Sequence, residues 1–177
     1  DGGYAAFLSV LAGAAEPRHP ALRTALLDAP VGTPFMRTFS LLAMARAGLR
    51  SEALQALARE WGGLLGSGAF PEDFDAEGEP LAMYGRPFGK SRCHGWSAGP
   101  AALLPLLALG VEPLEDGWRS FAVDPLPGVG DVEAAVPLAG GDLVVQLLDG
   151  RCTVAVPAGH ALVDPTGRHE GPAVVVR

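Results

Sequence analysis

Two side chains between positions 70 and 100 offer the chemistry most directly. Glu72 closes the run Gly68-Ala69-Phe70-Pro71-Glu72, where an aromatic and a proline can hold a carboxylate against a wall. A carboxylate held that way can serve as a general base or a general acid; in an open loop it is one more solvated acid. Its neighbours Asp73, Asp75, Glu77 and Glu79 read as the solvated kind. His94 stands in Ser91-Arg92-Cys93-His94-Gly95-Trp96-Ser97-Ala98-Gly99-Pro100. A single histidine before a helix more often caps or packs than catalyses. A metal centre would need further ligands at ordered spacing, which His19, His160 and His169 do not supply. Ser97 matches no nucleophile-elbow pattern, which argues against a serine hydrolase. Cys93 reads as a buried structural thiol rather than a nucleophile.

Aromatic faces stack on the apolar faces of sugar rings. Trp61, Tyr84 and Trp96 are candidate platforms, with core packing as the other reading; Trp118 reads as core. Arg86, between Gly85 and Pro87, can pair with the loop acids or donate to substrate hydroxyls. No glycine pattern of the kind that cradles phosphate opens a helix.

These residues need elements to position them. Tyr4, Phe7, Leu8 and Leu11 recur at helical spacing, and a short helix is expected over Ala21–Leu27. Thr33-Pro34 is an N-cap followed by proline at the first helical position. It opens a helix that puts Phe35, Phe39, Leu42 and Ala43 on one face and closes at Gly48. Ser51 starts another, with Leu54, Leu57, Ala58, Trp61 and Leu65 as its apolar side. The short Gly48-Leu49-Arg50 connection predicts an antiparallel helix pair. Residues 66–95 hold nine glycines and prolines with interleaved aromatics and acids, the mark of a long functional loop. Ala98–Leu109 returns to helix.

From about residue 112 the apolar period becomes two. Strands are expected over 118–123, 132–136, 143–148, 151–156, 160–163 and 173–176, with an Asp149-Gly150 hairpin turn and a turn at Gly140-Gly141. The division expected is therefore 1–111, helical, and 112–177, a small antiparallel β module.

The bulk numbers agree with a folded chain. It has 177 residues, 49% of them hydrophobic and 19% charged, which excludes a disordered polypeptide. A net charge of −7 argues against a nucleic-acid binder. The 24 glycines and 16 prolines show no collagen-like period. Cys93 and Cys152 make no disulfide framework and read as free thiols, with a bridge between them as the alternative. The most apolar run, Ala98–Val111, is broken by Pro100 and Pro105 and too short to span a bilayer. Asp1-Gly2-Gly3 is no basic signal region; a bacterial cytoplasmic location and, after removal of a signal, a periplasmic or secreted one both fit. A first residue other than Met and a mean hydropathy of +0.24 suggest a piece of a longer protein.

Taken together, several motifs resemble the C-terminal region of bacterial α-L-rhamnosidases of glycoside hydrolase family 78. They are Trp61-Gly62-Gly63, the run Gly68 to Asp75, Met83-Tyr84-Gly85-Arg86-Pro87-Phe88-Gly89, Cys93 to Pro100, Leu109-Gly110-Val111-Glu112-Pro113 and Gly117-Trp118. The resemblance runs from about Thr33 to the C-terminus. It implies part of an (α/α)6 toroid of helix hairpins followed by a β-sandwich. It also implies hydrolysis of terminal α-L-rhamnose from a glycoside by inversion, with two carboxyl groups and no cofactor. By the resemblance Glu72 is the general base and His94 lines the sugar pocket, with Trp61 and Trp96 nearby and Arg86 orienting the loop. Nothing before Thr33 resembles the family segment that carries the general acid. The implied partners are therefore a rhamnose-containing glycoside and the remainder of the barrel. A non-catalytic carbohydrate-binding module and a six-hairpin glycosidase of other sugar specificity are the alternatives.

Overall fold

The computed structural model describes residues 2–30, 32–74 and 90–177. The chain divides into two units, Asp1–Leu103 and Leu104–Arg177. Helices come first and strands follow.

The first unit is built on α1 (Gly2–Leu11), α2 (Pro20–Leu27), α3 (Pro34–Arg46) and α4 (Arg50–Gly62). α3 packs against the other three. Its start follows the sequence signal: Thr33 Oγ1 accepts from the Met36 amide at 3.4 Å, with Pro34 in the first turn. Its end is a Schellman turn. Gly48, at φ +74°, donates to the Ala45 carbonyl, and the Leu49 amide donates to Met44 O at 2.8 Å. The chain then turns directly into α4. Arg37, near the start of α3, meets Glu60, near the end of α4, which only an antiparallel pair allows. Arg37 Nε donates to Glu60 Oε2 at 2.8 Å and a terminal guanidinium nitrogen to Oε1 at 2.9 Å, with both side chains nearly sealed from solvent.

The buried stripe of α3 differs from the expected one. Arg37, Ser40, Leu41, Ala43 and Met44 face inward, whereas Phe35 is 40% exposed and Phe39 and Leu42 are half-buried. The sequence offers apolar residues on two adjacent stripes, and the Arg37–Glu60 pair fixes which of them faces α4. The same ambiguity recurs elsewhere. On α1, Ala6, Phe7 and Val10 are buried but Leu8 is exposed; on α4, Ala53, Ala56, Leu57 and Trp61 are buried but Ala58 is exposed. Beyond α4, a single 3-10 turn, Leu65–Ser67, leaves Leu65 exposed. A second 3-10 turn, Gly95–Ser97, leads into α5 (Gly99–Leu109), inside which the boundary between the units falls. Gly99 lies so close to α3 that a Cβ there would sit 2.0 Å from Thr38 Oγ1.

The second unit holds two four-stranded sheets. One has the order β1 (Glu112–Pro113), β2 (Ser120–Ala122), β6 (Ala161–Asp164), β7 (Gly167–Glu170). The other runs β3 (Val132–Leu138), β4 (Gly141–Leu148), β5 (Arg151–Val156), β8 (Ala173–Val176). Alternation sets the core: Leu143 and Val145 on β4, and Cys152, Val154 and Val156 on β5, point inward, as do Phe121 and Leu162 of the other sheet. The β4–β5 hairpin turns at Asp149-Gly150, both at positive φ (49° and 75°), the pairing a type I′ turn requires.

Three details depart from the sequence reading. β1 and β7 were not expected. Trp118 lies in a 3-10 turn at φ 60° rather than in a strand or the core, and it is half-buried. β2 and β6 pair in parallel while every other pairing described is antiparallel. The chain leaves β2 to build the other sheet and returns to β2's side only at β6, so the two strands run the same way. Among the described residues, no helix is long and apolar enough to cross a membrane.

Candidate functional site

Glu72 sits where two segments of the first unit are laced together. Its amide donates to Ser91 O at 2.8 Å, and the His94 amide donates to Phe70 O at 2.8 Å. The side chain turns back on the same partner: Glu72 Oε2 accepts from the Ser91 amide at 2.9 Å. No hydrogen bond reaches Oε1 from the described residues. The carboxylate is half-buried and oriented by a backbone amide, and among the described residues its second oxygen is open to another partner.

The tryptophans frame this segment in different ways. Trp96 is half-buried, and its indole N–H donates to Glu72 O at 2.9 Å. Its ring lies 4.3 Å from that of His94, tilted by 52°, and 5.8 Å from that of Phe35, which stacks edge-on against Phe39. His94, Trp96 and Phe35 thus form a row of rings, all but Phe35 half-buried. Trp61 is 2% exposed; its indole N–H donates to Ser97 O at 2.8 Å and its ring meets Phe74 at a right angle, 4.7 Å away. In this chain Trp61 therefore acts from the core, by holding a carbonyl, and shows no open ring face for a sugar. The Ser97 hydroxyl donates to Pro71 O. Lys90 pairs with Asp73 at 3.0 Å, so this loop acid is an ion-pair partner rather than purely solvated.

The structure brings Glu72, His94 and Trp96 together, and Trp61 joins them through the Ser97 carbonyl. Tyr84 and Arg86 lie outside the described residues. Cys93 is exposed, contrary to the buried thiol expected, because it stands in a turn closed by Ser91, whose Oγ donates to Cys93 O at 2.9 Å. Cys152 is buried, and both thiols are free. The sequence reading missed Ser91, Ser97 and Phe35. Serine carries no periodic signal, and Phe35 was assigned to the inward face of α3. Beside this segment Leu64, Leu65, Gly68, Ala69 and Phe70 line an apolar groove of about 340 Å³, whose walls do not include Glu72. Among the described residues, no three His, Cys, Asp or Glu side chains are grouped to hold a metal ion.

The arrangement can do two things. A half-buried carboxylate with one oxygen anchored can accept a proton from a water held against the other. A row of rings beside it can take the apolar face of a ring-shaped ligand.

Two solved structures are similar to the chain. A GH78 family rhamnosidase of Bacillus sp. GL1 matches 88% of this chain at 27% identity, with a TM-score of 0.62. An α-L-rhamnosidase from Aspergillus terreus matches 98% of it at 16% identity, with a TM-score of 0.73, a likeness of fold alone. The matches take up 17% and 24% of those two chains, so this chain spans about a fifth of the length of its structural neighbours. No family model and no curated protein matches it. The chain is thus similar in structure to one region of rhamnosidases, and these neighbours are glycoside hydrolases.

Proposed function

We propose that the chain is the C-terminal portion of an α-L-rhamnosidase-like glycoside hydrolase. Residues 1–111 are then the last helices of an (α/α)6 toroid, and 112–177 a β-sandwich that follows it. The observation that carries this reading is the Glu72 carboxylate, held by the Ser91 amide with its other oxygen unbonded among the described residues, in a chain that matches a rhamnosidase over 88% of its length at 27% identity. Exposed Leu8, Leu27 and Phe35 on the helices support it too, since a larger barrel would cover such side chains.

In this reading Glu72 takes a proton from water as the water oxygen bonds to the anomeric carbon of rhamnose. A second carboxylic acid, in the part of the barrel outside this chain, gives its proton to the departing glycosidic oxygen. The configuration inverts, and no cofactor takes part. His94 hydrogen-bonds sugar hydroxyls, and Trp96 offers its ring to the sugar. Arg86 and Tyr84 belong to the same pocket by sequence resemblance alone. The row of rings formed by His94, Trp96 and Phe35 also suits a carbohydrate-binding module, which would need no base. Glu72→Gln in the complete protein separates the two. The base reading expects kcat on an aryl α-L-rhamnoside to fall ~10²–10⁴-fold, the usual worth of general acid–base catalysis, with rhamnose affinity kept. Activity near wild type would overturn it. The chain by itself is expected to release no aryl group above background, because its proton donor lies elsewhere.

A further inference from the structure

We infer that Ser97 is a positioning residue for the Glu72 carboxylate, an inference that rests on the general-base reading of Glu72. Ser97 is fully buried and has no side-chain access to a ligand. Its hydroxyl proton is committed to Pro71 O, and its own carbonyl accepts from Trp61 Nε1 at 2.8 Å. It therefore links α4 to the peptide that leads into Glu72.

The chemistry of Pro71 explains why a hydroxyl is needed there. Proline has no N–H, so at this buried position the backbone has a carbonyl to satisfy and no donor of its own to tie it down. The next carbonyl, that of Glu72, is taken by Trp96 Nε1 at 2.9 Å. Consecutive residues 96 and 97 thus hold consecutive carbonyls 72 and 71. Fixing both peptide planes fixes the direction in which the Glu72 side chain leaves the backbone, and hence where its oxygens stand relative to the Ser91 amide. A base has to stay within hydrogen-bond reach of its water, and a misplacement of ~1 Å can cost about a hundredfold in rate. The serine that matched no nucleophile pattern so acts through Glu72 instead of through attack.

The test uses the chain itself, labelled for NMR, with Ser97→Ala as the main variant. The Trp61 indole resonance is expected to persist, because the backbone carbonyl at position 97 remains. The Glu72 amide is expected to exchange about tenfold faster, the opening that one lost hydrogen bond allows. The Ser91 amide proton is expected to move upfield, because its acceptor Glu72 Oε2 is no longer held in place, a signature that a purely structural serine would not alter. Ser97→Cys, of similar size with a weaker donor, is expected to fall between the two, and it carries the test if Ser97→Ala does not fold. Unchanged Glu72 exchange and an unchanged Ser91 amide shift in the folded variant overturn the positioning role alone. Full activity of Glu72→Gln in the complete protein would instead overturn the base reading, while the coupling between Ser97 and Glu72 would still be measured.

Discussion

In the helical unit, buried and half-buried donors converge on the carbonyls of one short stretch and its anchor: Trp61 on Ser97, Ser97 on Pro71, Trp96 on Glu72. In the β unit the same kinds of groups hold the ends of strands. His160 Nδ1 lies 2.8 Å from Trp118 O, Arg177 donates to Val123 O at 2.9 Å, and the Thr166 amide donates to Asp164 Oδ1 at 2.8 Å. The β ladders already satisfy the backbone, so side chains there only close the edges. A loop has no ladder, so side chains must supply its donors. The β unit also fixes a loop carboxylate, Asp131, which accepts from the Asp149 amide at 2.9 Å, but that side chain is exposed, whereas Glu72 of the helical unit is half-buried and tied into the donors around it. The nearest β counterpart, Asp164, is turned inward: its side chain is 1% exposed and its Oδ2, 3.7 Å from the Arg177 guanidinium, makes no hydrogen bond.

The contrast can be broken at several points. Glu72→Gln, with its ~10²–10⁴-fold loss of kcat, has the largest expected effect. No substitution confined to the β unit should approach it without unfolding the protein. Arg37→Ala leaves the nearly buried Glu60 with the exposed Arg59 guanidinium, 3.1 Å away, as its remaining cation, and it should cost the helical unit up to ~3–5 kcal/mol in urea unfolding. Amide exchange on β4 and β5 should hardly change; a loss below ~1 kcal/mol, the usual worth of an exposed pair, would mean the pair is solvated. Gly99→Ala forces a methyl against Thr38, and ~1–3 kcal/mol of destabilisation is expected from thermal melts. Ala tolerated without loss would show that α3 and the start of α5 separate easily.

The smallest effect concerns acid. The Thr166 hydroxyl bond, joined by its amide and by His169, holds the Asp164 carboxyl at about 2 against an ordinary 3.8, although burial pulls the other way. Because the folded value lies below the unfolded one, the stabilisation is present above pH 3.8 and is lost as pH falls towards 2. Melting of the β unit followed between those limits should steepen in wild type and flatten in Asp164→Asn. Equal slopes would show that the carboxylate contributes nothing to the acid response.

Much of this was legible in the residues. The Thr33-Pro34 cap, the Gly48 stop and the Asp149-Gly150 turn each follow from local backbone chemistry, and each is found where the residues put it. Period-two alternation located β3, β4, β5 and β8 because one face of their sheet is buried. β1 and β7 were invisible because Glu112-Pro113 is too short to show a period and Gly167–Glu170 is polar and mostly exposed.

By itself, the sequence determined that helices come before strands, several caps and turns, and Glu72 and His94 as the residues to watch. Local spacing and turn chemistry suffice for these. Only the tertiary structure decided which of two apolar stripes on α3 faces inward, that Trp61 works from the core, and that Ser91, Trp96 and Ser97 hold Glu72 in place. Those outcomes depend on contacts between residues about 20 or more apart in the chain, such as Arg37 with Glu60 and Ser97 with Pro71, and no local pattern encodes them.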